Sequence, residues 1–285
     1  MVDVTSMSLK HQIGQRMMVG FDGPELSDSV IRLIREYKIG NIVLFSWNIT
    51  SKDQMADLCR RIQELVMQET GLPAFIAIDQ EGGAVSRLPS DATRVPGAMA
   101  LAATGDPASA LEAGRMTGRE LRALGANLNL APVLDVNSND DNPVIGVRSY
   151  GSRPETVVKF ALSMMRGLKE GGVLSCGKHF PGHGDTSVDS HLALPTVHKS
   201  LEELRRIELV PFQAAIDAGI PAIMSSHILF PQLDPDMPAT MSRRILTDLL
   251  KKEMGFTGLV LTDCLEMKAI QHTFGTVQGA LSALK

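Results

Sequence analysis

The stretch VLSCGKHFPGHGDTSVDSH, residues 173–191, joins an apolar run to a loop dense in reactive side chains. An apolar run bounded by glycine and proline is typical of a buried strand that opens into a loop. The loop brings together a lysine, three histidines and two aspartates. Because loops carry function while a strand fixes their base, we interpret residues 178–191 as part of a site. The alternative is a solvated turn with incidental histidines.

Other apolar runs of strand length recur along the chain and alternate with segments of helical periodicity. After Ser51, for example, Met55, Leu58 and Ile62 share one face of a helix. Such alternation predicts an α/β protein with a parallel sheet. The predicted strands are residues 17–21, 42–45, 74–78, 128–136, 173–177, 222–227 and 258–263. The predicted helices begin at Ser27 or Asp28, at Ser51 and at Ser200, or span residues 106–124, 154–169, 242–254 and 277–284. No linker is visible, so residues 1–285 are expected to form one domain.

Polar side chains stand at the carboxyl ends of these strands and decide between two architectures. In a barrel the strand ends converge on one mouth, whereas in an open sheet only those at the switch point would meet. No GxGxxG or P-loop follows a strand, which disfavours nucleotide binding. The pattern therefore predicts a TIM-type (β/α)8 barrel. The strand-end residues are Asp22, Asp79, Asp135, Lys178, His179, His227 and Asp263.

The barrel prediction leaves one strand unaccounted for. Seven strands are predicted, and the chain ends at Lys285 within a predicted helix, where an eighth strand should follow. We expect a C-terminally truncated barrel, although a different closure or a wrong first strand are alternatives.

Composition restricts which classes of binding partner and which cellular location are expected for the chain. The net charge of −4 disfavours nucleic acid, and no uncharged apolar run reaches the length of a membrane span. Cys59, Cys176 and Cys264 lack CxxC spacing, which predicts buried thiols rather than disulfides. No signal peptide is visible, so a cytoplasmic location is expected unless a leader has been removed. The sequence gives no indication of an oligomeric state.

Two features are candidates for the reacting groups. Asp263 follows a purely apolar run, so a strand would aim its carboxylate at the mouth; its alternative role is an N-cap for the next helix. In Asp189-Ser190-His191, the carboxylate can bond the imidazole and raise its pKa, which suits a proton donor near neutral pH. The alternative for this motif is a structural turn.

Four motifs in order give the chain a family resemblance. KHFPGHGDTSVDSH, together with IDQEGGAVSRL (78–88), NPVIGVRSYG (142–151) and LVLTDCLEM (259–267), resembles glycoside hydrolase family 3. Within that family the chain looks like the β-N-acetylglucosaminidases that trim cell-wall muropeptides, and the GDT-x-x-DSH segment points to this hexosaminidase branch. The resemblance implies a carbohydrate substrate containing N-acetylglucosamine and requires no cofactor or metal.

The resemblance also implies roles for individual residues. Asp263 matches the catalytic nucleophile of a retaining mechanism, His191 the general acid/base and Asp189 its partner. The remaining matches are groups that bind hydroxyls of the non-reducing sugar: Asp79, Arg87, Arg148, Lys178 and His179.

Several alternatives stay open. A β-glucosidase or a phosphorylase of the same family is one, because a neutral imidazole would not repel phosphate at the second step. A metal-dependent barrel hydrolase is another, since the 178–191 stretch is rich in ligand types, and activity that survives a chelator would exclude it. The third is a sugar-binding barrel without catalysis.

Overall fold

The computed structural model describes residues 4–187 and 194–284. In this part of the chain seven parallel strands form one sheet and pair in sequence order. The sheet curls into a partial barrel, which confirms the predicted TIM-type α/β fold with seven strands in the described residues. The strands are β1 (Met18–Val19), β2 (Asn41–Leu44), β3 (Phe75–Ile78), β4 (Leu128–Asn129), β5 (Leu174–Phe180), β6 (Ala222–Ser225) and β7 (Leu259–Thr262).

Helices connect the strands, and those predicted at Ser27, Ser51 and Ser200 begin there. Ser27 and Ser51 each accept a backbone N–H in the first turn of a helix, and Ser200 with Glu203 forms a capping box. No helix in the part of the chain that the structure describes is long and apolar enough to cross a membrane. The helices are α1 (Leu9–Gln15), α2 (Asp28–Tyr37), α3 (Lys52–Thr70), α4 (Ala98–Ala103), α5 (Pro107–Ala123), α6 (Pro154–Gly171), α7 (Leu201–Arg206), α8 (Leu209–Asp217), α9 (Lys268–Gln271) and α10 (Thr276–Leu284). Of these, α1, α4 and α8 were not predicted as separate helices.

The fourth strand is shorter than predicted. The apolar run 128–136 predicts one strand, but β4 ends at Asn129 and Pro132 follows. Proline has no N–H to donate to a ladder, so a regular strand does not continue through it. The chain still runs beside β5, because the Leu134 N–H donates to the Lys178 carbonyl at 2.7 Å.

The fifth strand is longer than predicted. It extends to Phe180, so Lys178 and His179 lie within the strand rather than in the loop after it. The backbone of both residues is therefore fixed by the sheet. In addition, the helix predicted at 242–254 is a π-helix, Arg244–Glu253.

Helices α5 and α6 pack with their backbones in contact at two pairs of glycines. A Cβ added at Gly118 would lie 2.9 Å from the Cα of Gly171, and one added at Gly171 would lie 2.6 Å from the Cα of Gly118. Gly114 and Gly167 meet in the same way one turn earlier. Only glycine permits this approach, and it brings the two helices on either side of β4 together.

Candidate active site

Four of the predicted site residues lie at the carboxyl ends of three strands. Asp79 directly follows β3, Lys178 and His179 lie near the end of β5, and Asp263 directly follows β7. In a sheet of parallel strands these ends lie on the same side. Burial raises the pKa of Asp263, but interactions with His179 and, more weakly, with Lys178 lower it, so the three strand ends share one electrostatic site.

A network of ion pairs forms the floor of this site. Lys178 Nζ lies 2.6 Å from Asp79 Oδ1 and 2.7 Å from Glu81 Oε1. Glu81 also receives a two-pronged contact from Arg148, whose Nη2 and Nε donate to its two carboxylate oxygens at 2.7 and 2.9 Å. Charge-assisted bidentate pairs of this kind are strong and directional. The network brings together Asp79, Lys178 and Arg148, three residues to which the family resemblance assigned sugar-binding roles.

Burial and charge oppose each other at Glu81 and Lys178. Burial by itself raises the pKa of Glu81, but the neighbouring Lys178 and Arg148 lower that pKa to about 2. Burial likewise disfavours the charged Lys178, yet Asp79 and Glu81 raise its pKa above the ordinary value. Lys178 is only 2 % exposed. Its ammonium therefore stays charged at neutral pH and presents fixed hydrogen-bond donors.

Side-chain hydrogen bonds from Asn129 and Gln80 fix the backbone of the loop after β3. The side chain of Asn129 bonds both the N–H and the carbonyl of Gln80, at 3.1 and 2.9 Å. Gln80 Oε1 in turn accepts the backbone N–H of Arg87 at 2.9 Å. Among the described residues, the buried Nε of Arg87 has no hydrogen-bond partner. The backbone of Arg87 is thus fixed near the Asp79 loop, while no hydrogen bond ties its side chain to the ion-pair network.

Asp135 holds two histidines in place, His179 at the end of β5 and His183 in the loop that follows. Its fully buried carboxylate accepts the His183 N–H at 2.7 Å and lies 2.7 Å from His179 Nδ1. Burial raises the pKa of Asp135, but His179 and then His183 lower it below the ordinary value. An ionised carboxylate only accepts, so Nδ1 of His179 carries the proton in this bond. Burial and then the charge of His179 lower the pKa of His183 to about 4, which leaves that imidazole neutral at pH 7.

Asp263 is a half-buried carboxylate with a defined orientation. The Cys264 N–H donates to its Oδ1 at 2.7 Å, and the carbonyl of Cys264 bonds His227 Nε2 at 2.9 Å. Burial raises the pKa of Asp263, whereas His179, His227 and the Cys264 N–H lower it to a value below the ordinary one. An oriented, ionised carboxylate beside cationic groups can act as a nucleophile towards an electrophilic carbon.

The predicted acid/base pair lies outside the described residues. Asp189 and His191 belong to residues 188–193, and their roles stay predictions. The flanks of this segment are described, and they meet at Lys199, whose Nζ lies 3.1 Å from Asp185 Oδ2 and 2.6 Å from Glu208 Oε1.

Three residues of the site received no role from sequence reasoning. Glu81 stands inside the IDQEGG motif, and Asp135 and His227 were noted only as strand-end polar residues. Glu81 pairs with Arg148 and Lys178, which lie 67 and 97 positions further along the chain. The available signal was the position of a titratable residue within three residues of the end of an apolar run.

Metal ligation receives no support from residues 4–187 and 194–284. Within them, no group of three or more histidine, cysteine, aspartate or glutamate side chains has an arrangement that could hold a metal ion.

Comparison with known proteins adds a family model and close relatives. The model of the glycosyl hydrolase family 3 N-terminal domain matches residues 8–285. A beta-hexosaminidase A from Pseudoalteromonas piscicida is 41 % identical over 275 residues, which cover 90 % of this chain and 45 % of the relative.

Solved structures agree with this match. A glycoside hydrolase family 3 beta-N-acetylglucosaminidase from Paenibacillus sp. str. FPU-7 superposes with a TM-score of 0.96 at 48 % identity, over 98 % of this chain and 53 % of the other. NagZ from Neisseria gonorrhoeae, in complex with N-trifluoroacetyl-D-glucosamine, gives a TM-score of 0.83 at 35 % identity, over 94 % of this chain and 78 % of the other. The chain thus spans about half the length of the Pseudoalteromonas and Paenibacillus relatives.

Proposed function

This chain belongs to glycosyl hydrolase family 3, and on that premise we propose that it hydrolyses β-linked N-acetylglucosaminides with retention of configuration. It would remove N-acetylglucosamine from the non-reducing end of cell-wall muropeptides or chitooligosaccharides. The observation that carries the proposal is Asp263, an ionised carboxylate held by the Cys264 N–H at the strand ends. The names of the relatives support the choice of sugar.

The proposed reaction has two steps. Asp263 attacks the anomeric carbon, the glycosidic C–O bond breaks, and His191 gives its proton to the departing oxygen. Water then attacks the glycosyl-enzyme, returns a proton to His191 and releases the sugar from Asp263. Asp189 is proposed to orient the imidazole. A carboxylate and an imidazole here take the place of the usual pair of carboxylates.

The ion-pair floor is proposed to bind the sugar hydroxyls. Asp79 can accept hydrogen bonds from vicinal hydroxyls, while Lys178, Arg148, Arg87 and His179 supply donors. Asp79 and Lys178 already hold each other at 2.6 Å, so they require little reorganisation when a sugar binds.

The test is turnover of paired aryl β-N-acetylglucosaminide and aryl β-glucoside substrates by the wild-type chain and by Asp263→Asn. We expect preference for the N-acetylglucosaminide and loss of turnover in the variant. Added azide should restore release of the aryl group in Asp263→Ala, with inversion to the α-azide, because the vacated space admits a small nucleophile. Appreciable activity of Asp263→Asn without azide would contradict the nucleophile role.

The same assay separates the alternatives. Preference for the glucoside would favour a β-glucosidase, and glycosyl phosphate formed in phosphate buffer would favour phosphorolysis. Loss of activity with a chelator would favour a metal-dependent hydrolase. No turnover of either substrate would favour a sugar-binding barrel.

A further inference from the structure

The exposed aromatic ring of Trp47 lies outside the site described above. Its side chain is stacked on Phe45, with ring centroids 4.5 Å apart and an interplanar angle of 13°. Trp47 is nevertheless 55 % exposed, so one side of the stack faces solvent. An indole ring held in water in this way presents a flat apolar surface that a ligand can cover.

The stack is fixed by hydrogen bonds before any ligand arrives. The Trp47 indole N–H donates to the Phe21 carbonyl at 2.9 Å. The buried neighbour Asn48 donates to the carbonyls of Phe21 and Gly23 and accepts the Phe45 N–H at 2.9 Å. These bonds tie the short turn Ser46–Asn48 to the segment that follows β1. Little conformational entropy is therefore lost when the exposed face is covered.

The position of the stack relates it to the sugar-binding floor. β2 and β3 pair in parallel with Leu44 opposite Ile78. The next residues, Phe45 and Asp79, therefore leave adjacent strands at the same level, where strands lie about 4.8 Å apart. Trp47 stands two residues beyond Phe45. The aromatic stack is thus on the rim of the same mouth, beside the carboxylate proposed to bind the sugar.

We propose that the Phe45–Trp47 stack is a subsite for a second pyranose ring of a β-linked N-acetylglucosamine oligosaccharide. The proposal rests on the proposed function, because it extends the same site by one sugar. The ring hydrogens of a β-linked glucosamine unit form apolar faces, which an aromatic ring can cover while the equatorial hydroxyls stay in water. A hydroxyl-binding floor and an adjacent aromatic surface together match a chain of such sugars.

The chain offers a direct probe, because Trp47 is its only tryptophan. Tryptophan emission of Asp263→Asn, which is expected not to cleave the ligand, would be followed during titration with chitotriose. A saturable change in emission is expected, since the sugar displaces water from the indole. Binding of chitotriose measured by calorimetry without a change in emission would overturn the proposal, and so would the absence of binding.

Kinetics provide the second measurement. For Trp47→Ala, the ratio of kcat/KM for chitotriose to kcat/KM for methyl β-N-acetylglucosaminide should fall by about three- to tenfold, the effect of one lost aromatic contact. The matched control is Tyr37→Ala: this residue is 50 % exposed, but it ends α2 and precedes the start of β2, so it lies towards the end of that strand opposite to Phe45. The control ratio should not change. An unchanged ratio in Trp47→Ala would overturn the proposal.

The two proposals fail in different ways. Turnover of the methyl glycoside with no emission response to chitotriose would remove the subsite and leave the proposed function standing. An emission response in a chain that cleaves no N-acetylglucosaminide would remove the proposed function and keep the sugar-binding surface.

Discussion

Replacing Glu81 with glutamine tests whether the ion-pair floor also stabilises the fold. The side chain is 6 % exposed and pairs with the buried Lys178 and the partly buried Arg148, so the substitution leaves these two cations without their shared anion. The pKa of Glu81 lies at about 2, against an ordinary value of 4.5. This difference corresponds to about 3 kcal/mol of stability at pH 7.

The sign of the pH dependence follows from the lowered pKa. A carboxyl group whose pKa is lower in the folded state stabilises that state at pH values above its unfolded pKa. The contribution of Glu81 is therefore complete at pH 7 and is lost as the pH falls from 4.5 towards 2. The stability difference between wild type and Glu81→Gln should shrink to less than half by pH 3.

Urea denaturation of both proteins at pH 7, 5, 4 and 3 measures this difference. The matched control is Glu64→Gln, a carboxylate 63 % exposed and paired with Arg60 on the surface of α3. Exposed pairs contribute little, so the control should change stability by less than about 1 kcal/mol. A loss below about 1 kcal/mol for Glu81→Gln at pH 7, or a loss that stays constant down to pH 3, would refute the reasoning.

Three further predictions concern catalysis and packing. His191→Ala should slow alkyl glycosides by about 10²–10⁴-fold and activated aryl glycosides less, because their leaving groups need no proton; equal losses in steady-state kinetics would argue against the acid role. Asp135→Asn leaves His179 and two backbone N–H groups without an anionic acceptor; we expect a loss of about 3 kcal/mol in urea denaturation together with lower kcat/KM, and wild-type values for both would contradict this. Gly118→Ala should cost about 1–3 kcal/mol, because the new Cβ would lie 2.9 Å from the Cα of Gly171; an unchanged Tm would show that α5 and α6 can move apart.

Local signals account for the parts of the fold that were predictable. A serine or aspartate before an amphipathic segment caps a helix by accepting a backbone N–H two or three residues further on. Ser51 and Ser200 could therefore be identified as caps from the local sequence alone. The carboxylates Asp79 and Asp263 were identifiable for a similar reason, since each follows a short apolar run that can only be a strand in this context.

Contacts between distant segments account for what was missed. Asp135 stands at the end of an apolar run, but its partners His179 and His183 come from the next strand and loop, and only the folded chain brings them into hydrogen-bonding range. Glu81 is separated in the same way from Lys178. The early end of β4 depends on Pro132, a residue whose effect could have been predicted from its missing N–H.

The link from Lys178 on β5 to Asp79 and Glu81 beyond β3 has a consequence for how such a site can diversify. These strands are not neighbours in the sheet, and the ion pairs join them across the short β4. Under the proposed function, a substitution on this floor would alter ligand preference and stability together, so few variants there would survive selection. The solvent-facing side of the turn Ser46–Asn48 takes part in no such ion-pair network among the described residues. Adaptation to new oligosaccharides is therefore expected to accumulate at the rim of the barrel, while its interior stays constant.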